Sequence, residues 1–164
     1  MYTKLKQRQQ GFSIIEVMIV MAIAGLIMLI VFLAVPALQR NSRNTQRKHD
    51  VTGLLGGLNE YQNNNAGALP ISWDAPSTEW RKTAAVAGTS VKLGIFAGTD
   101  INYNASSNAA IAGARALGTV FVRGNAKCNA AGDDVGGANA TSRSIAVVYG
   151  VEQAGAPTFV CQES

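Results

Sequence analysis

The stretch Gln9-Gln10-Gly11-Phe12-Ser13-Ile14-Ile15-Glu16-Val17-Met18-Ile19-Val20 decides how the chain is read. It places one carboxylate, Glu16, at the mouth of a run in which no residue from Val17 to Gln39 is charged. Val17–Val35 is almost unbroken Val, Ile, Leu, Met, Phe and Ala. As helix, that run spans about 28 Å, close to the hydrocarbon thickness of a bilayer. It is too long for the apolar core of a cleaved secretory signal, and LAVPALQR offers no small-residue cleavage site. The reading is a membrane helix. A carboxylate at the bilayer centre costs about 2.5–3.5 kcal/mol and at the edge far less. Glu16 is therefore either a tolerated residue near the positive end of the helix dipole or one with a task.

Outward from this stretch, the 164-residue chain falls into two regimes. The first 40 residues are basic and then apolar, and the last hundred are rich in Gly, Ala, Asn, Ser and Thr. A net charge of +4 invites a nucleic-acid reading. However, Lys4, Lys6 and Arg8 stand before Gly11, and removing them brings the basic residues close to balance with the 10 acidic ones. Nucleic acid is not the expected partner. The two cysteines, Cys128 and Cys161, lie far from the apolar run. They read as a disulfide of an oxidising compartment, the alternative being two free buried thiols. With one histidine and no CxxC, the sequence offers no metal-ligand cluster, and it has no nucleophile–base set or phosphate loop. No enzymatic activity, cofactor or metal is expected.

Four elements coincide at the N-terminus: a basic leader, the Gly11-Phe12 junction, a glutamate at fixed offset and the long apolar run. Together they resemble the type III signal of type IV pilins and pseudopilins. The resemblance implies a leader, residues 1–11, cut by prepilin peptidase between Gly11 and Phe12, with N-methylation of Phe12. It implies that Glu16 serves assembly by pairing with the Phe12 amine of a neighbouring subunit. It further implies a transmembrane and assembly helix over 12–39, weakened at Gly25 and Pro36. Pro36 stands about a turn farther from the glutamate than the proline of many pilins. The partners implied are other pilin subunits, the peptidase, and an inner-membrane assembly platform with its ATPase. The implied location is the inner membrane with the head outside, then an extracellular pilus used in adhesion, motility or DNA uptake. A pseudopilin of a secretion or competence apparatus is the alternative, and a singly anchored surface binding domain a further one.

Past Pro36, Val51, Leu54, Leu55, Leu58 and Tyr61 recur at helical spacing, so 40–64 reads as an amphipathic helix. Arg40, Arg43, Arg47 and Lys48 are expected to stay solvated or meet lipid phosphates, and His49 to lie on the surface. Asn63–Pro70 should end the helix, and 65–164 should form a globular head. A short helix is expected around Ser77–Ala84. The stretches Gly118–Arg123, Ser144–Val151 and Thr158–Cys161 are β-branched and aromatic, and they read as antiparallel strands. The expected fold is α+β, a long helix on a small antiparallel sheet with a C-terminal disulfide. Bridging Cys128 and Cys161 would stabilise it by roughly 3–4 kcal/mol on the chain-entropy model.

Overall fold

The computed structural model describes residues 11–74, 79–81, 89–96, 101–105, 110–111, 115–137 and 140–164. Among the described residues, one helix, α1 (Ile14–Asn64), precedes seven strands. The chain divides into two compact units, Met1–Gln39 and Arg40–Ser164. In the first, the described residues are Gly11–Ser13 and the start of α1, and they are exposed throughout.

In the second unit, α1 turns one face inward. Val51, Leu54 and Leu58 are fully buried, with Leu55 and Tyr61 nearly so. Their i, i+3, i+4, i+7 spacing is what a helix needs to cover a sheet. The helix ends where Asn65 and Ala66-Gly67 turn the chain: the Gly67 amide donates to the Gln62 carbonyl at 2.7 Å, and the Asn65 side-chain amide donates to the Tyr61 carbonyl at 2.8 Å. Gly67 has φ +84°, the left-handed geometry that glycine adopts at a helix end.

The sheet beneath runs β4 (Ile101–Asn104), β5 (Val120–Gly124), β6 (Ile145–Val151), β7 (Thr158–Glu163). The three expected strands pair antiparallel, with Val122 opposite Val147 and Val148 opposite Cys161. A fourth strand, β4, joins parallel to β5, so the sheet is mixed rather than wholly antiparallel. Alternation sorts the side chains. Val120, Val122, Ile145, Val147 and Tyr149 meet the helix face in one core. Phe121, Ala146 and Val148 form a second core on the other side, against Ala126 and Val135 of the loop after β5. With both faces covered, β6 reads as the continuous apolar run IAVVYGV, not as an alternating one.

A second, three-stranded antiparallel sheet joins β1 (Ser72–Asp74), β2 (Glu79–Arg81) and β3 (Thr89–Ser90), with Trp73 opposite Trp80. The helix expected around Ser77–Ala84 is corrected here, because Glu79–Arg81 is a strand. The triplets SWD and EWR alternate polar and aromatic residues, and that pattern suits a short cross-strand ladder better than one helical turn.

Two polar clamps tie these parts to α1. The Asp50 carboxylate, 2% exposed, accepts the backbone N–H groups of Gly94, Ile95 and Phe96 at 2.7–3.1 Å. The consecutive amides form an anion nest that the chain's own side chain fills. Arg47 corrects a second expectation, since it is buried rather than left to solvent or lipid, and Arg43, though 43% exposed, is ion-paired as well. Both reach the Glu152 carboxylate, Arg43 Nε at 3.0 Å and Arg47 Nη2 at 2.8 Å. Asn44 completes the clamp by exchanging two hydrogen bonds of 2.8 Å with the Glu152 backbone. His49 is exposed, as expected.

Two tests follow from the clamps. Asp50→Asn keeps the volume but turns one acceptor into a donor aimed at donors; it should cost about 2–3 kcal/mol in denaturant unfolding and speed amide exchange at 94–96. Unchanged exchange there would remove the nest from the account. For Glu152, hydrogen bonds from Arg43 and then Arg47 lower the pKa from 4.5 to about 2. A depressed carboxylate pKa contributes stability that is complete above 4.5 and lost as pH falls through about 2. Thermal melts between those limits should fall less steeply for Glu152→Gln than for the parent chain, and parallel curves would contradict the clamp.

Candidate processing and assembly site

Gly11, Phe12 and Ser13 lie outside regular secondary structure, and α1 begins at Ile14. The Ser13 carbonyl accepts the amides of Glu16 at 3.1 Å and Val17 at 3.3 Å. In return, the Ser13 N–H donates to Glu16 Oε2 at 2.9 Å. This is the reach-back half of a capping box, in which the glutamate at the third helical position satisfies the N-cap amide. The Ser-x-x-Glu spacing of Ser13 and Glu16 was the signal for it in the sequence. The bond turns the carboxylate toward the helix start, where the macrodipole favours negative charge. Phe12, Glu16, Val17, Val20 and Met21 line one groove of about 440 Å³, so the carboxylate and the Phe12 ring share a side of the chain.

Phe12 is 89% exposed. A Cβ built on Gly11 or on Gly25 would meet nothing within 4 Å. Neither glycine is demanded by packing against the described residues. Helix α1 continues through Gly25 and Pro36 in the isolated chain, although Pro36 has no amide for the Phe32 carbonyl. The helix contains a window long and apolar enough to cross a membrane, and none of that window is buried. A core helix of a soluble domain would be mostly covered. This one is not.

Residues 6–32 match the family model described as the prokaryotic N-terminal methylation motif. That is the signal motif of type IV pilins and pseudopilins. Over residues 6–32 the chain is similar to type IV pilins and pseudopilins. The motif points to a structural subunit family. No curated protein and no solved structure matches the chain. The matched span holds Gly11, Phe12, Glu16 and Gly25 of this pilin-like chain; Pro36 and the cysteines lie beyond it.

The remaining candidate residues are far from this segment in sequence. Cys128 and Cys161 are bonded, with Cα atoms 5.6 Å apart. The bridge fastens the loop after β5 to β7 on the sheet face opposite the helix. Cys128 pairs with Val135 in an isolated bridge, and the Cys161 amide donates to the Gly132 carbonyl at 2.8 Å. The loop thereby covers part of the outer edge of β7, which would otherwise invite strand addition. Asp133-Asp134 needs no ion: Asp134 takes Arg115 Nη2 at 2.6 Å and the Val135 amide at 2.7 Å. Replacing both cysteines by serine should lower unfolding free energy by roughly 3–4 kcal/mol, with amide exchange at 126–137 rising first. Equal exchange in both proteins would show that the loop holds without the bridge.

Proposed function

We propose that this chain is a structural subunit of an extracellular type IV pilus. In this reading prepilin peptidase cuts between Gly11 and Phe12 and Phe12 is N-methylated. The mature helix then leaves the inner membrane, driven by the assembly platform and its ATPase, to pack against other copies. Residues 12–39 serve as membrane anchor and filament core, and Arg40–Ser164 stands outside. Gly25 and Pro36 are weak points at which the helix yields when packed. The observation that carries the reading is the unburied apolar helix that the methylation motif overlaps, with one carboxylate at its start. The Cys128–Cys161 bridge supports an oxidising, external location for the head. The pseudopilin alternative shares the motif; abundant long filaments containing this chain favour the pilus, and their absence favours the pseudopilin.

The test separates processing from assembly. Gly11→Val should leave full-length precursor in the membrane. Glu16→Ala should still lose its leader but build few filaments, because a neighbour's Phe12 amine would enter the apolar bundle unpaired. That costs about 3–5 kcal/mol, which at about 1.4 kcal/mol per tenfold suppresses subunit addition by roughly two to three orders of magnitude. Because Glu16 also caps Ser13, Glu16→Gln distinguishes the two roles: it keeps an acceptor and loses the charge. Filament yield after shearing should be as low for Gln as for Ala. Wild-type yield from Glu16→Gln would reduce Glu16 to a helix cap.

A further inference from the structure

Before its first buried apolar residue, Val51, α1 passes through Arg40-Asn41-Ser42-Arg43-Asn44-Thr45-Gln46-Arg47-Lys48-His49, a segment without one apolar side chain. A helix that is polar all round has no face to bury and holds only through side-chain pairs or outside support. Here the pairs oppose it. Arg43 follows Arg40 at i+3, Arg47 follows Arg43 at i+4, and the segment holds no acidic residue, so neighbouring cations repel. Asn, Ser, Thr and His are weak helix formers. The Thr45 hydroxyl bonds back to the Asn41 carbonyl at 2.9 Å, an arrangement that slightly weakens a helix. Close packing does not compensate. A groove of about 290 Å³ lies along the segment, lined by Asn41, Asn44, Thr45 and Lys48 and by Tyr149 and Val151 of β6.

Support comes from one residue. Among the described residues, every hydrogen bond from this segment to the strands and loops beyond α1 ends on Glu152: Arg43 and Arg47 on its carboxylate, Asn44 on its backbone. Glu152 directly follows Val151, which pairs with Thr158, so it is mounted on the β6–β7 ladder. From Asp50 onward the support changes in kind. The Asp50 carboxylate is seated on the 94–96 amides, and Val51 is fully buried. We propose that Arg40–His49 is a strap, a length of α1 that releases and re-seats as a unit while Asp50–Asn64 stays on the sheet, and that Glu152 is its latch. Seated as helix, the segment spans about 15 Å; released and extended, it reaches about 33 Å. The device changes the length of the link between the two compact units, whose boundary falls between Gln39 and Arg40. It needs neither membrane nor filament, so failure of the pilus reading leaves it standing.

The experiment is amide exchange on the full chain in nonionic-detergent micelles. Amides 44–49, which bond the carbonyls of residues 40–45 in a helix, should exchange faster than amides 54–62. Their exchange should depend little on urea below the unfolding transition, as a local opening does, whereas 54–62 should lose protection steadily as urea rises. Glu152→Gln should speed exchange at 44–49 about tenfold and at 54–62 less than about twofold. Asn44→Ala removes the two bonds to the Glu152 backbone and leaves its carboxylate in place; it should act on the same amides in the same direction. One common rate and one common urea dependence for 44–49 and 54–62 would make α1 a single cooperative element and overturn the strap. Unchanged exchange at 44–49 in both variants overturns Glu152 as its latch.

Discussion

The fold of Arg40–Ser164 rests on one contact, the apolar face of α1 from Val51 to Tyr61 against the inner face of β5 and β6. Gly53, Gly56 and Gly57 each weaken the helix by up to about 1 kcal/mol against alanine, so this segment is helical because the sheet covers it. Burying Leu54, Leu58 and Val51 then fixes which residues flank the contact. Asp50 and Arg47 lie within the same buried stripe and are brought inside with it. A carboxylate and a guanidinium so placed must find partners. The chain supplies them from loops, the 94–96 amides for Asp50 and Glu152 for Arg47. The clamps follow from the contact and then restrict how far each loop can wander.

This dependence explains what could and could not be read from the sequence. The helix face, β5, β6, β7 and the cysteine bridge were legible, because each has a local signature: helical spacing, β-branched runs, or a pair of thiols in an exported chain. The strands β1 to β4 carry little of their own. INYN becomes a strand by lying parallel to β5 nineteen residues later, and EWR by facing SWD just before it, pairings of only three or four residues. Arg43 and Arg47 looked like solvated cations because their partner stands more than a hundred residues later. Asp50 was missed for the opposite reason, since its partners are backbone amides, which leave no mark in the sequence. At the N-terminus the methylation motif was legible, because that motif is linear.

The clamp at Glu152 also alters the charge count around the apolar run. By sequence, Lys4, Lys6 and Arg8 before it are nearly balanced by Arg40, Arg43, Arg47 and Lys48 after it, so the positive-inside rule cannot orient the helix. In the folded head, Arg43 and Arg47 share a carboxylate, and Arg47 is buried. The charge displayed after the run is therefore smaller than the charge encoded there. Folding and bridging of the head on one side of the membrane would bias an arrangement that the linear charges leave open, and the disulfide favours the oxidising side.

Glu16 shows the same economy at the other end of α1. If the chain assembles as proposed, a carboxylate there needs one partner before assembly and another after it. In the isolated chain it has the Ser13 amide and the dipole of its own helix, interactions worth about 1 kcal/mol each. In the proposed filament these are supplemented by a charged amine in an apolar setting, where an unpaired charge is far more costly than a lost cap. The difference in size gives the arrangement its direction. The cap is strong enough to hold the side chain at the helix start, on the side of Phe12, and too weak to compete with an ion pair away from water. Only a stagger that brings the next amine to this carboxylate leaves neither charge bare, so one residue in an otherwise featureless apolar surface can specify where each subunit stops.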